Sequence, residues 1–220
     1  MAVLVTAAVA VSMAGAAEWV TERWGERAVP VTADAFTIVV DAGHGGFDGG
    51  ATGTDSGVHE AGLNLAVAEQ AAQGLRNAGL TVRMTRESEG ALGATKAVDM
   101  AARKRIFSGG DVDLVVSIHM NHFSDRAVSG PMAYYMQGSK EGQKLAQQVI
   151  DSLTDAAGRS RRLANPGDYF VIRECACPAV LVECGFLSNS TDEQALQDPA
   201  HQAALAQAIV KGILSYLEEA

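Results

Sequence analysis

The chain has 220 residues, 48% of them apolar and 20% charged, with a formal net charge of −9. That is ample apolar material for the core of one domain. The acidic balance argues against nucleic acid, which selects clustered lysine and arginine, and against electrostatic docking on an anionic membrane. An acidic polymer would have to be recognised at short range, because the overall field repels it.

From Ala2 to Ala17 there is no charged residue, and Glu18 and Trp19 follow. The run resembles the apolar core of a secretory signal, with Ala14-Gly15-Ala16 as a small-residue cleavage site, although the usual basic leader is missing. Residues 1–20 therefore read as a signal or membrane anchor, with a buried helix as the alternative. Residues 21–35 are polar and unpatterned and read as a linker ahead of a domain over 36–220.

Phe36 to Asp41 is a short apolar run before a glycine cluster, the pattern of a buried strand. The loop from Ala42 to Gly57 carries seven glycines, too many for a regular element. From Gly62 the period changes: Leu63, Val67, Ala71 and Leu75 share one helical face, and Asn77-Ala78-Gly79 ends it. Leu80 to Thr85 alternates as a strand. Val98 to Phe107 is helical, with Arg103, Lys104 and Arg105 near its end, where the dipole favours cations. Asp113 to His119 is a second buried strand.

Gly130 to Met136 reads as a strand, Lys140 to Leu153 as a helix, Tyr169 to Arg173 as a short strand and Ala179 to Glu183 as a central one. Leu205, Ile209, Ile213 and Leu217 mark a closing helix. This alternation predicts the α/β class: a single domain with a mixed, mostly parallel sheet and helices on both faces. Cys175, Cys177 and Cys184 are too few and too odd in number for a disulfide framework. They read as small buried hydrophobes rather than a thiolate metal cluster.

In such sheets, functional groups gather at the carboxyl ends of strands. His44 follows the first strand, His119 ends another and Glu183 ends a third. Each has a bland alternative: a solvent-facing turn for His44, a satisfied core histidine for His119, a structural ion pair for Glu183. Glu60, at the start of a helix, could simply serve the dipole, and the adjacent His59 competes with it as a ligand. The residues alone leave that pair open. Two imidazoles and a carboxylate are a standard three-ligand set for catalytic zinc, with one position left for water. Zinc on His44, Glu60 and His119 would activate that water, and Glu183 would take its proton and pass it to a leaving amine. This division of labour suits amide hydrolysis.

Four blocks now stand in order: Asp41-Ala-Gly-His-Gly-Gly-Phe-Asp-Gly-Gly-Ala51, His59-Glu-Ala-Gly-Leu-Asn-Leu65, Ser117-Ile-His-Met-Asn121 and Val182-Glu-Cys-Gly-Phe-Leu-Ser-Asn189. Together they resemble the signature blocks of the zinc-dependent N-acetylmuramoyl-L-alanine amidases, the amidase type 3 family, over roughly Phe36 to Leu217. The resemblance implies zinc ligation by His44, Glu60 and His119, in favour of Glu60 over His59, with Glu183 as the catalytic carboxylate. It implies cleavage of the amide between N-acetylmuramic acid and L-alanine in peptidoglycan, outside the cytoplasm.

Within that family the chain is similar to the CwlD-type amidases of spore formers, through Met84-Thr85-Arg86, Arg103, the short apolar amino terminus and the single catalytic domain. That likeness implies a step towards muramic δ-lactam in the spore cortex, read during germination. One departure is Glu60-Ala61-Gly62, where the family usually reads Glu-Lys-Asp. No long insertion follows His119, so control by a partner protein, timing or location is expected rather than a built-in plug. Arg86, Asn121 and His122 are the candidate substrate contacts. The rival readings are a catalytically silent wall-binding protein and a zinc peptidase acting within the stem peptide.

Overall fold

The computed structural model describes residues 36–219, so the signal or anchor and the linker expected before them lie outside the described residues. Six strands form one sheet: β1 (Thr37–Ala42), β2 (Thr81–Met84), β3 (Leu114–Asn121), β4 (Met132–Met136), β5 (Asn165–Gly167) and β6 (Ala179–Phe186). Their order across the sheet is β2-β1-β3-β6-β4-β5. The first four in that order run parallel, and β4 joins β6 antiparallel with β5 parallel beside it. The helices are α1 (Glu60–Asn77), α2 (Lys96–Phe107), α3 (Lys140–Ala156), α4 (Phe170–Arg173), α5 (Ser190–Leu196) and α6 (Pro199–Glu219). The α/β class, the mixed sheet and the helices on both faces are as the sequence predicts.

Strand side chains alternate between faces, and this period sorts the core from the chemistry. On one face Val39, Val115, Ala179 and Leu181 pack with Phe107 of α2 and with Val171 and Ile172 of α4. Continuing each strand by steps of two on that face leads to Asp41, to Ser117 and His119, and to Glu183. The same face is thus apolar at its amino end and polar at its carboxyl end. On the other face Ile38, Val40, Val116, Ile118, Val180 and Val182 are fully buried. There α1 and α3 pack against the strands, and α6 packs against both helices.

The connection leaving β1 runs to β2 on one side, and that leaving β3 runs to β4 on the other. The crevice between β1 and β3 is therefore a switch point, where open α/β sheets place their ligands.

Three elements differ from the sequence reading. Tyr169 to Arg173 is a single helical turn, closed by bonds from Arg173 N to Tyr169 O and from Glu174 N to Phe170 O. Adjacent Val171 and Ile172 are both buried in it, which one turn of helix allows and a half-buried strand does not. Asn165-Pro166-Gly167 takes the edge position instead, where the missing proline N–H costs no ladder bond. Finally, α5 follows β6, its N-terminus capped by the Asn189 side chain accepting from Thr191 N and Asp192 N. Among the described residues, no helix is long and apolar enough to cross a membrane.

Candidate metal centre

His44 lies two residues beyond β1, in left-handed backbone with φ 61°. A non-glycine residue there costs about 1–2 kcal/mol, so the surroundings must hold it. Gly45 and Asp48 close the turn through paired backbone bonds of 2.8 and 3.1 Å. The imidazole Nδ1 sits 2.9 Å from Asp48 Oδ1. That contact is close but out of line for a hydrogen bond, and Nδ1 is buried with no bonded partner. Asp48 is itself paired with Lys96 at the start of α2. Burial opposes its ionisation, but Lys96 and His44 hold the carboxyl at about 2.

Glu60 opens α1 and is 3% exposed. Oε1 accepts from His119 Nδ1 at 2.9 Å, from Asn64 Nδ2 at 3.0 Å and from Met120 N at 3.2 Å. Oε2 accepts from Ala51 N at 2.8 Å and lies 3.3 Å from His44 Nε2. Burial favours the neutral acid, yet the two imidazoles outweigh it and hold the carboxyl far below its ordinary range. In return Glu60 and Asp48 raise His44 against the pull of burial.

The glycines explain how the groups come so close. At Gly50, φ is 69° and a Cβ would collide with the Glu60 carboxylate; at Gly43 a Cβ would collide with the His119 ring. The imidazoles of His44 and His119 stand edge to face with centroids 5.0 Å apart. One ligand atom from each of His44, Glu60 and His119 falls within 4.8 Å of the others. Two nitrogens and one oxygen at that spacing could hold a divalent ion.

Glu183 ends the polar face of β6 and pairs in register with His119 of β3. It is 8% exposed, and its Oε2 is buried without a hydrogen-bond partner. Burial pushes its carboxyl up to about 7; the His119 charge opposes that rise and the Glu60 charge assists it. A carboxyl poised near neutrality can accept a proton and give it back.

His44, Glu60, His119 and Glu183 thus converge from the ends of β1, β3 and β6 and the start of α1. His59 does not join them: it is the exposed N-cap residue of α1, with Nδ1 3.3 Å from Thr52 Oγ1. Asn121 is half-buried at the end of β3, its Oδ1 accepting from His122 N, and His122 is exposed beyond it. Arg86, a candidate substrate contact on the sequence, is 3% exposed and donates to four backbone carbonyls, those of Ala42, Gly43, Ser88 and Ala61. A guanidinium so enclosed has no face left for substrate.

Sequence reasoning assigned no role in the site to Asp48, Asn64 or the buried set of Asp41, Thr85, Ser117 and Arg103, although Thr85 and Arg103 marked the CwlD-type likeness. The signal for two of them was present. Asp41 and Ser117 are polar residues inside apolar strands, and they pair in register, with Ser117 Oγ donating to Asp41 Oδ2 at 2.5 Å.

A family model described as N-acetylmuramoyl-L-alanine amidase matches residues 38–215. The germination-specific N-acetylmuramoyl-L-alanine amidase of Bacillus subtilis is 31% identical over 207 residues, 90% of this chain and 86% of that protein. The CwlD amidase of Clostridioides difficile, solved in complex with the GerS lipoprotein, matches with TM-score 0.81 at 30% identity, over 84% of this chain and 100% of that one. The catalytic domain of the amidase CwlV from Bacillus (Paenibacillus) polymyxa matches with TM-score 0.75 at 33% identity, over 83% of this chain and 98% of that one. With the model spanning most of the sequence and all four chemical residues gathered at one sheet edge, the chain belongs to the N-acetylmuramoyl-L-alanine amidase family.

Proposed function

We propose that the chain is an exported, zinc-dependent amidase that cuts between N-acetylmuramic acid and L-alanine in spore-cortex peptidoglycan, on the way to muramic δ-lactam. His44, Glu60 and His119 are the proposed ligands. The donor set suits zinc, and Glu183 keeps a buried Oε2 that no protein group bonds. Bound zinc supplies Lewis acidity and lowers the pKa of a water towards ~7. Glu183 accepts the proton of the attacking water and delivers it to the departing alanine amine. Glu60, fixed by five contacts, keeps the two imidazoles at a constant separation. Asn121 and His122 are the proposed substrate contacts.

The gathering of three potential ligand atoms within 4.8 Å of one another carries this reading. The cortex role rests on the germination-specific relative in Bacillus subtilis. The complex of the Clostridioides difficile enzyme with a lipoprotein favours an activating partner outside the cytoplasm, consistent with residues 1–20 serving as signal or anchor.

The test is digestion of purified cortex and vegetative wall by the metal-loaded protein, alone and with a candidate lipoprotein, followed by mass spectrometry. New amino-terminal alanine with intact muramic acid is expected. Cleavage within the stem would make the enzyme a peptidase, and binding without turnover in every condition would make it a wall-binding protein. Turnover that survives a chelator would refute the zinc mechanism.

A further inference from the structure

Three consecutive carbonyls of the His44 turn are each gripped by a buried guanidinium. Arg86 donates through Nε to Ala42 O at 2.9 Å and through Nη2 to Gly43 O at 2.9 Å. Arg103 donates through Nη1 to Ala42 O at 2.8 Å and through Nη2 to His44 O. The same Arg86 Nη2 reaches Ala61 O at 2.7 Å, in the first turn of α1 next to Glu60. Asn64 adds a second tie, donating to Gly43 O at 3.1 Å and to Glu60 Oε1 at 3.0 Å.

Behind the turn lies a neutral, buried cluster. Arg103 is 2% exposed and bonds Asp41 Oδ1 at 2.6 Å and Asp99 Oδ2 at 2.8 Å. Thr85 and Ser117 complete Asp41 with hydroxyl donors at 2.7 and 2.5 Å. Two arginines and two aspartates balance in charge. Such a cluster is weak evidence for stability, because well-packed apolar residues often do as well. What apolar residues cannot do is hold a left-handed turn by its carbonyls. Directed donors can, and a planar fork spanning two elements does so at fixed spacing.

We propose that Arg86 and Arg103 form a positioning clamp that sets His44 against Glu60 and thereby tunes metal affinity. The clamp rests on the zinc reading above. Arg86 ties the turn bearing one ligand to the helix turn bearing another, and Arg103 holds the strained residue itself. Neither touches the reacting groups.

The experiment compares wild type with Arg86→Lys and Arg103→Lys, which keep the charge and lose the fork. Zinc affinity is read by chelator competition, ligand geometry by the visible spectrum of the cobalt(II) form, and folding by melting of the metal-free protein. Folded variants are expected to bind zinc roughly 10- to 100-fold more weakly, the range for supporting contacts around metal ligands, with a shifted cobalt spectrum. Wild-type affinity and an unchanged spectrum in a folded Arg86→Lys protein would overturn the clamp. Should both lysine variants fail to fold, Ser117→Ala loosens Asp41 alone. Several-fold weaker zinc binding then supports the clamp, and unchanged binding overturns it. A wild-type protein that takes up neither metal would sink the zinc reading instead, a distinct result.

Discussion

Glu183 is the one carboxylate on an otherwise apolar, buried strand, and its chemistry follows from that seat. Glu183→Gln keeps the shape and removes the proposed base. Wall hydrolysis should fall by roughly 10²- to 10⁴-fold, the usual worth of a general base, while zinc content measured by elemental analysis stays at the wild-type level. The metal-free protein should also show a thermodynamic mark. The ordinary carboxyl value is 4.5 and the folded value about 7, so folding favours the protonated acid. Stability from this residue is complete below the unfolded value and is lost as pH rises through the folded one. At 1.36 kcal/mol per unit, about 3 kcal/mol is at stake. Metal-free Glu183→Gln should therefore gain on wild type in melting temperature as pH climbs from about 4.5 to about 7. A constant difference would mean that the carboxyl is not desolvated. Gly50→Ala should strike the Glu60 carboxylate directly and also strain a backbone with φ 69°, so zinc titration should show weaker binding than any loss of stability explains.

At the scale of elements, the site is a product of register and of one helix start. Parallel pairing puts His119 opposite Glu183, and a slip of one residue would turn every side chain of β6 to the wrong face. The ladder shifts between His119 and Asn121, directly after the proposed ligand, as bulges beside active sites do. The helix α1 begins at Glu60 rather than at Gly62, which puts the proposed ligand in its first turn, and its N-cap, His59, makes no side-chain cap bond. The cap residue already has extended backbone with φ −90° and ψ 137°. His59→Ser should therefore add about 1 kcal/mol, or about 2–4 °C in melting for a domain of this size. Zinc affinity should not change. A large loss of zinc on that substitution would restore His59 as a ligand.

At the scale of the whole molecule, a peptidoglycan amidase must reconcile an acidic surface with its site. A net charge of −9 repels anionic wall polymers at long range. Raising salt screens that repulsion over a Debye length of about 10 Å at 0.1 M, so KM for anionic fragments should fall with ionic strength while kcat holds. Metal should couple to folding as well. Zinc in hundredfold excess over its dissociation constant adds about 2.7 kcal/mol by mass action, about 5–10 °C for a domain of this size. Melting scans with and without a chelator check this, and Glu60→Ala should abolish the difference.

The sequence alone determined the α/β class and marked His44, His119 and Glu183 as candidates, because period, glycine density and polar residues at strand ends are local properties of the chain. His44, His119 and Glu183 stood out as polar groups closing apolar runs. The choice between His59 and Glu60 was open on the residues, since adjacent positions differ only in which way a helix start turns them. Tertiary structure decided it, by aiming Glu60 at both imidazoles and leaving His59 at the surface. Tertiary structure also turned Arg86 inward to the carbonyls of the His44 turn and folded Tyr169 to Arg173 into helix. Those outcomes depend on the pairing of segments far apart in the chain, where local pattern carries no information.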